Sequence, residues 1–126
     1  MNIPADLRYT SDHEWIRLTG KTAVVGITEF AQGELGDIVF VEIETVGNHI
    51  DKGNTFGTIE AVKTVSDLFM PVSGEILEMN ETLSDAAELV NTDPYEKGWL
   101  IKIKITDAAE LNDLLSADQY KEMIAE

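Results

Sequence analysis

Short runs of β-branched and aromatic residues, separated by Gly, Asn, Asp and Pro, recur along most of this chain. Such runs favour strands because these side chains fit a pleated surface, while the separating residues favour turns. The clearest run is Trp99 to Ile105, where apolar residues alternate with Lys102 and Lys104. This alternation predicts a strand with one face on a core and the other in water. The fold class predicted is mainly antiparallel β with short helices (α+β).

The length of 126 residues is sufficient for one hydrophobic core and short for two, so a single domain over residues 1–126 is expected. Its core is predicted at roughly 20–106, with helices over 107–126 that cover the sheet. Two patterns near the C-terminus resemble capping boxes, and each would open a short helix. They are Asp107-x-x-Glu110 and Ser116-x-x-Gln119.

The N-terminal third predicts a hairpin followed by a helix. Glu14 to Leu18 and Thr22 to Ile27 are the hairpin strands, and Gly20-Lys21 lies in the turn between them. Thr28 is a suitable N-cap for a helical turn over Glu29 to Glu34, because its hydroxyl can accept from a free helical N–H. The segment therefore places a short helix directly after a strand.

The run Asp37 to Glu44 has apolar residues at both odd and even positions. A strand of this kind is typically buried on both faces, so a central strand is predicted here. Farther along, Thr55 to Val62 and Ser66 to Met70 predict two more strands, and Thr82 to Leu89 a short helix. The turn between those two strands contains Lys63.

The charge balance restricts the possible partners. Nine basic residues against 24 acidic ones give a formal charge of −15, which repels phosphate backbones and anionic lipid headgroups. Nucleic acid and membranes are therefore not expected as partners, whereas basic protein surfaces are. The chain has no cysteine, and its N-terminus lacks an apolar or Arg-rich targeting pattern. A cytoplasmic protein, or a mature mitochondrial form, is expected.

No arrangement of residues predicts an enzyme. His13 and His49 are far apart, and a metal site would require them to converge with a carboxylate. The serines lack a nucleophile elbow, and no Gly-rich phosphate cradle is present. A hydrolase that uses His13 and Glu14 would have too few ligands and no nucleophile. No catalytic residue and no metal site are predicted.

Lys63 is unusual because it lies between Val62 and Thr64 at a predicted hairpin tip that has no Asn-Gly or Asp-Gly turn signal. A lysine at such a tip is either a solubilising surface charge or a residue selected for chemistry. The residues alone leave both interpretations open.

The segment around Lys63, from Gly57 to Glu75, resembles the lipoyl-attachment region of glycine cleavage H proteins. Four more segments are similar to motifs of this family and follow in the same order. They are YTSDHEW (9–15), GITEFAQ (26–32), LGDIVFV (35–41) and DPYEKGWLIKI (93–103). Two other carrier families fit less well. Biotin carriers usually have methionines beside the lysine, where this chain has Val62 and Thr64. Lipoyl domains of 2-oxo acid dehydrogenases lack the extra N-terminal and C-terminal segments that this chain shares with H proteins.

The resemblance implies a biotinyl/lipoyl-type flattened β-barrel or sandwich, with lipoate joined by an amide to Lys63 at a hairpin turn. It also implies a carrier that moves the aminomethyl intermediate of glycine. The expected partners are the pyridoxal-phosphate glycine decarboxylase (P protein), the folate-dependent aminomethyltransferase (T protein) and dihydrolipoamide dehydrogenase (L protein). A lipoate ligase or a lipoyl/octanoyl transferase would attach the cofactor. The alternative role is an octanoyl or lipoyl relay in lipoate metabolism.

Three acidic residues are candidates for the site, and two of them, Glu14 and Asp67, match family motif positions. Glu14 and Asp67 are expected near the lipoyl arm, where they could pair with a protonated amine. Glu60 and Asp67 flank the turn and are candidates for recognition by the attaching enzyme. A monomer is expected.

Overall fold

A computed structural model describes residues 2–125 of the chain. Within this range the chain forms nine strands, three α-helices and two 3-10 helices. The strands are β1 Arg8–Tyr9, β2 Glu14–Thr19, β3 Thr22–Ile27, β4 Ile38–Glu42, β5 His49–Ile50, β6 Thr55–Ala61, β7 Val65–Phe69, β8 Gly74–Met79 and β9 Ile101–Ile105. The helices are α1 Glu29–Leu35, α2 Leu89–Thr92, α3 Ala117–Ile124, and the 3-10 helices Glu81–Ser84 and Ala108–Asp113.

The strands form two antiparallel sheets. The larger sheet has the order β1-β2-β3-β9-β8-β5, and the smaller one has the order β4-β6-β7. Buried side chains of both sheets share one apolar cluster, which includes Val25 and Ile103 from the larger sheet and Ile59 and Leu68 from the smaller. Each such side chain contributes roughly 1.5–3 kcal/mol by burial. The predicted class, mainly antiparallel β with short helices, is confirmed.

Strand β9 follows the alternation of the sequence. Ile101 and Ile103 are fully buried, Lys104 is exposed, and Lys102 is half-buried. The strand begins at Ile101, two residues later than predicted. Trp99 instead packs beside a second apolar cluster, which joins the N-terminal segment to α3.

Helix α3 begins with the predicted capping box. The Ser116 hydroxyl accepts from the backbone N–H of Gln119, and the Gln119 side chain accepts from the N–H of Ser116. The other predicted box, at Asp107 and Glu110, is wrong. Asp107 does accept from a backbone N–H, but Glu110 accepts from the backbone N–H of Ser73 at 2.7 Å and from its hydroxyl at 3.1 Å. Two donors from a buried serine hold this carboxylate better than one exposed N–H would.

Strand β4 differs from the prediction in two respects. It lies at the edge of the smaller sheet rather than at its centre. Its register with β6 shifts between Ile38 and Phe40, and this bulge leaves Val39 and Phe40 side by side and exposed. A bulge inserts an extra residue and so breaks the alternation of faces. Burial on both faces is therefore wrong for this strand.

The helix predicted over Thr82 to Leu89 is also wrong. The chain forms the 3-10 helix Glu81–Ser84 and then α2, which begins at Leu89. The buried side chain of Asn80 caps the 3-10 helix through Thr82 and donates to the carbonyls of Lys97 and Trp99. These tertiary bonds fix the start of the segment, and local helix preference does not decide its conformation.

Candidate functional site

Lys63 lies in the exposed turn that joins β6 to β7. The N–H of Ala61 donates to the carbonyl of Thr64 at 2.7 Å, and the N–H of Val62 donates to the carbonyl of Asp37 at 2.9 Å. These two bonds hold the turn across its base and against the segment before β4. The Lys63 ammonium has no ion pair with a carboxylate within residues 2–125. The backbone is therefore fixed while the amine stays accessible.

The stem of Lys63 runs over Gly36, the residue that ends α1. A Cβ added to Gly36 would lie 3.2 Å from Lys63 Cε and 3.7 Å from Nζ. The φ angle of Gly36 is +86°, a conformation that other residues rarely adopt. Asn91 holds this position by donating to the Gly36 carbonyl at 2.9 Å and accepting from the Ile38 N–H at 2.8 Å. Gly36 thus supplies both the bend and the room for the lysine stem.

A cleft of about 140 Å³ begins at Leu35, beside this glycine. Its walls are α1, the turn before β2 with the first residue of that strand, and residues of β3, β6 and β7. Its lining combines apolar side chains with carboxyl groups. The apolar residues are Ile27, Ala31, Leu35, Ile59 and Leu68, and the acidic ones are Asp12, Glu14, Glu34 and Asp67. Such a cleft suits a thin apolar chain that ends in a cation.

Glu14 is the buried carboxyl of this cleft, with 2% of its surface exposed. It accepts from the Thr10 hydroxyl at 2.9 Å and from the Phe69 N–H at 3.3 Å. Burial raises the pKa of Glu14 from 4.5 to about 8, although both hydrogen bonds oppose that shift. The carboxyl is therefore mostly protonated near neutral pH. A cation that entered the cleft would lower this pKa and favour the carboxylate form.

The raised pKa of Glu14 predicts a specific pH dependence of stability. Between pH 4.5 and about 8 the unfolded chain releases this proton while the folded chain keeps it, so the free energy of unfolding falls as pH rises. Glu14→Gln has no such proton. Across this window we expect the variant to gain on the order of a few kcal/mol relative to the unsubstituted chain. Urea unfolding of both proteins at a series of pH values measures this difference in the free energy of unfolding. Parallel pH profiles of the two proteins would contradict the prediction.

His13 is a structural residue of the cleft wall. Its Nδ1 lies 2.9 Å from the Tyr120 hydroxyl, which lies 2.7 Å from the Thr28 hydroxyl, and Thr28 caps α1 through the Ala31 N–H. Burial lowers the pKa of His13. The ring also lies against Phe30, with 4.9 Å between the ring centroids. This chain of contacts ties α3 to two walls of the cleft.

Removal of the Tyr120 hydroxyl tests that link. In Tyr120→Phe, both His13 and Thr28 lose their partner, and we expect the free energy of unfolding to fall by about 1–3 kcal/mol. Tyr120→Leu also loses the stacking on Tyr9, where the ring centroids are 4.8 Å apart, and we expect a loss of about 3–5 kcal/mol. Chemical denaturation measures both values. Equal losses in the two variants would show that the hydroxyl, and not the ring, dominates.

The structure brings together two of the three acidic candidates. Glu14 and Asp67 both line the cleft, Asp67 from the edge strand β7, whereas Glu60 lies on the central strand β6, between Phe40 and Val65 in the strand register, and does not line it. Sequence reasoning missed Asn91, Gly36 and Tyr120, whose contacts span long sequence separations. Gly36 had the signal of a helix end, but nothing in the sequence related it to the lysine.

The remaining sequence alternatives find no support in the geometry. His49 contacts Asp51 at 2.9 Å on an exposed surface and lies in β5 at one edge of the larger sheet, whereas His13 precedes β2 near the other edge in the strand order. No group of three His, Asp or Glu side chains within residues 2–125 could hold a metal ion. No helix in the same range is long and apolar enough to cross a membrane.

Comparisons with known proteins agree with one another. The family model described as glycine cleavage H-protein matches residues 7–126. A glycine cleavage system H protein of Staphylococcus haemolyticus is 56% identical over 126 residues, which is 100% of both chains. One of Bacteroides thetaiotaomicron is 60% identical over 124 residues, 98% of each chain. The crystal structure of one from Mycobacterium marinum superposes with a TM-score of 0.86 at 38% identity, covering 98% of this chain and 100% of that one.

These similarities extend over the whole chain and include both the sheets and the turn that carries Lys63. They identify a lipoyl carrier component of the glycine cleavage system that is not itself a catalyst, and they do not favour a separate relay role. The chain belongs to the glycine cleavage H-protein family.

Proposed function

We propose that Lys63 carries the lipoyl group as an amide on Nζ and that the cleft beside Gly36 shelters the acylated side chain, here called the arm. The observation that carries this proposal is the position of the Lys63 stem over Gly36, which directly follows the cleft residue Leu35 in the chain. The chain has seven lysines, and most of them are exposed. Exposure alone therefore does not select Lys63, but proximity to the cleft does.

The residues at the site fit a lipoyl chain. Gly36 leaves room for the stem, since a Cβ would crowd Lys63 Cε at 3.2 Å. The apolar lining of the cleft suits a hydrocarbon chain, and the carboxyl groups of Glu14 and Asp67 suit an amine at its end. With lipoate attached, the site gains a disulfide that can be reduced and can accept a one-carbon amine unit.

Glu14 and Asp67 would hold an incoming ammonium group. Because Glu14 is buried and mostly protonated before the cation arrives, pairing would release its proton to solvent. Asp67 is exposed and lines the same cleft, so it would contribute a second, more weakly held carboxylate. Together these groups would exclude water from the amine and fix it in the cleft between visits to the enzymes.

The rigid turn and a flexible arm would let one carrier serve several enzymes. Attachment to the chain replaces a free substrate by a tethered one and so raises its effective concentration at each docked enzyme. The partners we propose are the glycine decarboxylase, the aminomethyltransferase and dihydrolipoamide dehydrogenase, with a lipoate ligase or a lipoyl/octanoyl transferase for attachment. The formal charge of −15 favours encounter with basic surfaces on these proteins. The relatives are bacterial, which supports a cytoplasmic location.

Attachment is tested with the unmodified chain, lipoate, ATP and a purified lipoate–protein ligase. We expect one lipoyl increment in the intact mass, and peptide mapping should assign it to Lys63. Lys97 and Lys121 are exposed internal controls in the same digest. An increment on another lysine, or none with a ligase that acylates a known lipoyl domain, would refute the proposed attachment site.

A further inference from the structure

Large apolar side chains are exposed around Lys63 to an unusual degree. The exposed fractions are 75% for Val62, 63% for Val65, 51% for Val39 and 48% for Phe40. We call these four residues the tip surface. They come from two strands, β4 and β7, and from the turn between β6 and β7, but lie at the same corner of the smaller sheet, since Ile38 pairs with Ala61 and the Val62 N–H donates to the Asp37 carbonyl.

The strand register confirms that part of the tip surface is one continuous row. Phe40 is opposite Glu60 on β6, and Glu60 is opposite Val65 on β7. On the same face, the next cross-strand row toward the middle of the sheet consists of Glu42, Thr58 and Asp67. The apolar character of this face is therefore confined to the end that carries Lys63, and polar groups replace it one row away.

The tip surface exposes the isolated protein to unwanted association with other chains. Strand β4 is an edge strand, and exposed apolar side chains on an edge favour unwanted pairing, so native edges are commonly charged. Here a bulge turns both Val39 and Phe40 outward instead of burying one of them. Bulges are frequent near functional sites, where they redirect side chains. This arrangement does not serve the core, and it points to a partner.

We propose that the tip surface is the docking site for the enzyme that acylates Lys63, through an apolar recess with a basic rim. The proposal rests on the proposed function of Lys63. That enzyme must reach the ε-amine itself, so it has to contact the residues around the turn. Enzymes that act on the far end of an attached arm reach an atom held away from the turn by the whole acyl chain.

The charges beside the tip surface define the rim of the partner. Asp37, Glu60 and Asp67 are exposed and surround the apolar side chains, and the chain as a whole carries −15. A basic rim would therefore steer association, while the apolar recess would supply most of the affinity. Glu60 lies within the apolar row, so it would pair with a cation at the centre of the contact rather than at its margin.

The covalent step balances with an activated lipoyl donor. The uncharged ε-amine attacks the carbonyl carbon of a lipoyl–AMP mixed anhydride, which is made from lipoate and ATP. The N–C amide bond forms, the bond from the carbonyl carbon to the phosphate oxygen breaks, and AMP leaves. The proton of the amine goes to a base of the enzyme or to water. No oxidation or reduction takes place.

The test compares two triple variants of the full chain. Val39→Thr, Phe40→Thr and Val65→Thr remove three of the four side chains of the tip surface, leave Val62 beside the lysine unchanged, and keep residues that favour strands. Leu18→Thr, Val46→Thr and Leu77→Thr change an equal number of exposed apolar residues elsewhere and are the matched control. With lipoate, ATP and a lipoate–protein ligase, kcat/KM for acylation of the first variant should fall at least about tenfold. The control should stay within about twofold.

A second measurement does not depend on acylation. Calorimetric titration of the ligase with each chain, without ATP, should give a Kd at least about tenfold higher for the tip variant only. Thermal unfolding verifies that both variants are folded. If the tip variant is acylated and bound like the unsubstituted chain, the proposal is wrong, although acylation of Lys63 still stands. Absence of acylation in the unsubstituted chain would instead refute the proposed function.

A third experiment tests whether another partner uses the same surface. Both triple variants are first lipoylated to completion by prolonged incubation and then assayed in glycine-dependent carbon dioxide exchange with purified decarboxylase. We expect a smaller loss for the tip variant here than in acylation. An equal or larger loss would assign the tip surface to the decarboxylase and overturn the proposal.

Discussion

Replacement of Lys63 by arginine is expected to abolish both the lipoyl mass increment and glycine-dependent carbon dioxide exchange. Arginine keeps the charge and nearly the length of lysine, so the exposed turn should be unaffected and the free energy of unfolding should change by less than about 0.5 kcal/mol. The guanidinium group does not deprotonate in proteins and cannot act as the acyl acceptor. Exchange should therefore fall to the background without carrier, at least about 10³-fold.

Two controls make the Lys63→Arg result specific. Lys97→Arg and Lys121→Arg change exposed lysines away from the turn and should be acylated and active like the unsubstituted chain. Intact mass after incubation with ligase, lipoate and ATP measures attachment, and exchange with purified decarboxylase measures carrier function. Residual exchange in Lys63→Arg at more than a tenth of the normal rate would show that another group serves as the acceptor.

Loss of the cleft carboxylates is expected to expose the loaded arm to water. In Glu14→Gln and Asp67→Asn each side chain keeps its shape but loses the charge that would pair with the amine. A charge-assisted hydrogen bond contributes about 1.5–3 kcal/mol, which corresponds to roughly 10- to 100-fold in the fraction of time that the arm leaves the cleft. We expect the larger effect for Glu14, because it is 2% exposed and Asp67 is open to solvent.

The measurement is the rate at which ammonia is released from the carrier after loading by the decarboxylase, with glycine and decarboxylase removed. Glu60→Gln is the matched control, since Glu60 lies on the central strand β6 and does not line the cleft. It should release ammonia at the normal rate. If Glu14→Gln and Asp67→Asn also do so, the cleft does not shield the arm through these groups.

The agreement between prediction and structure follows the range of the interactions. Strand β9, the Thr28 cap and the Ser116 capping box were predicted because each depends on a periodicity or on residues within one helical turn. The errors at Glu110, at the segment after Asn80 and in β4 arose where distant groups compete with the local preference. Glu110 accepts hydrogen bonds from Ser73, and β4 lies at the edge of its sheet with a bulge.

In the candidate site, too, the features that depend on local sequence were predicted and those that depend on distant contacts were not. The residues around Lys63 predicted a lysine at an exposed hairpin tip, and the motifs in collinear order predicted the family. The raised pKa of Glu14 comes from its burial among the walls of a cleft built from separate parts of the chain, and the hydrogen bonds from Thr10 and Phe69 oppose it. No pattern within one segment encodes such surroundings.

The sequence by itself determined the strands, the caps, the acidic surface and the position of Lys63 in a turn, because these depend on neighbouring residues and on composition. Only the tertiary structure decided that Gly36 lies under the lysine stem, that Glu14 is buried in the adjacent cleft, and that Val39 and Phe40 face outward. Each of these contacts joins residues far apart in sequence, and its energy exists only once the two sheets and α1 have packed together.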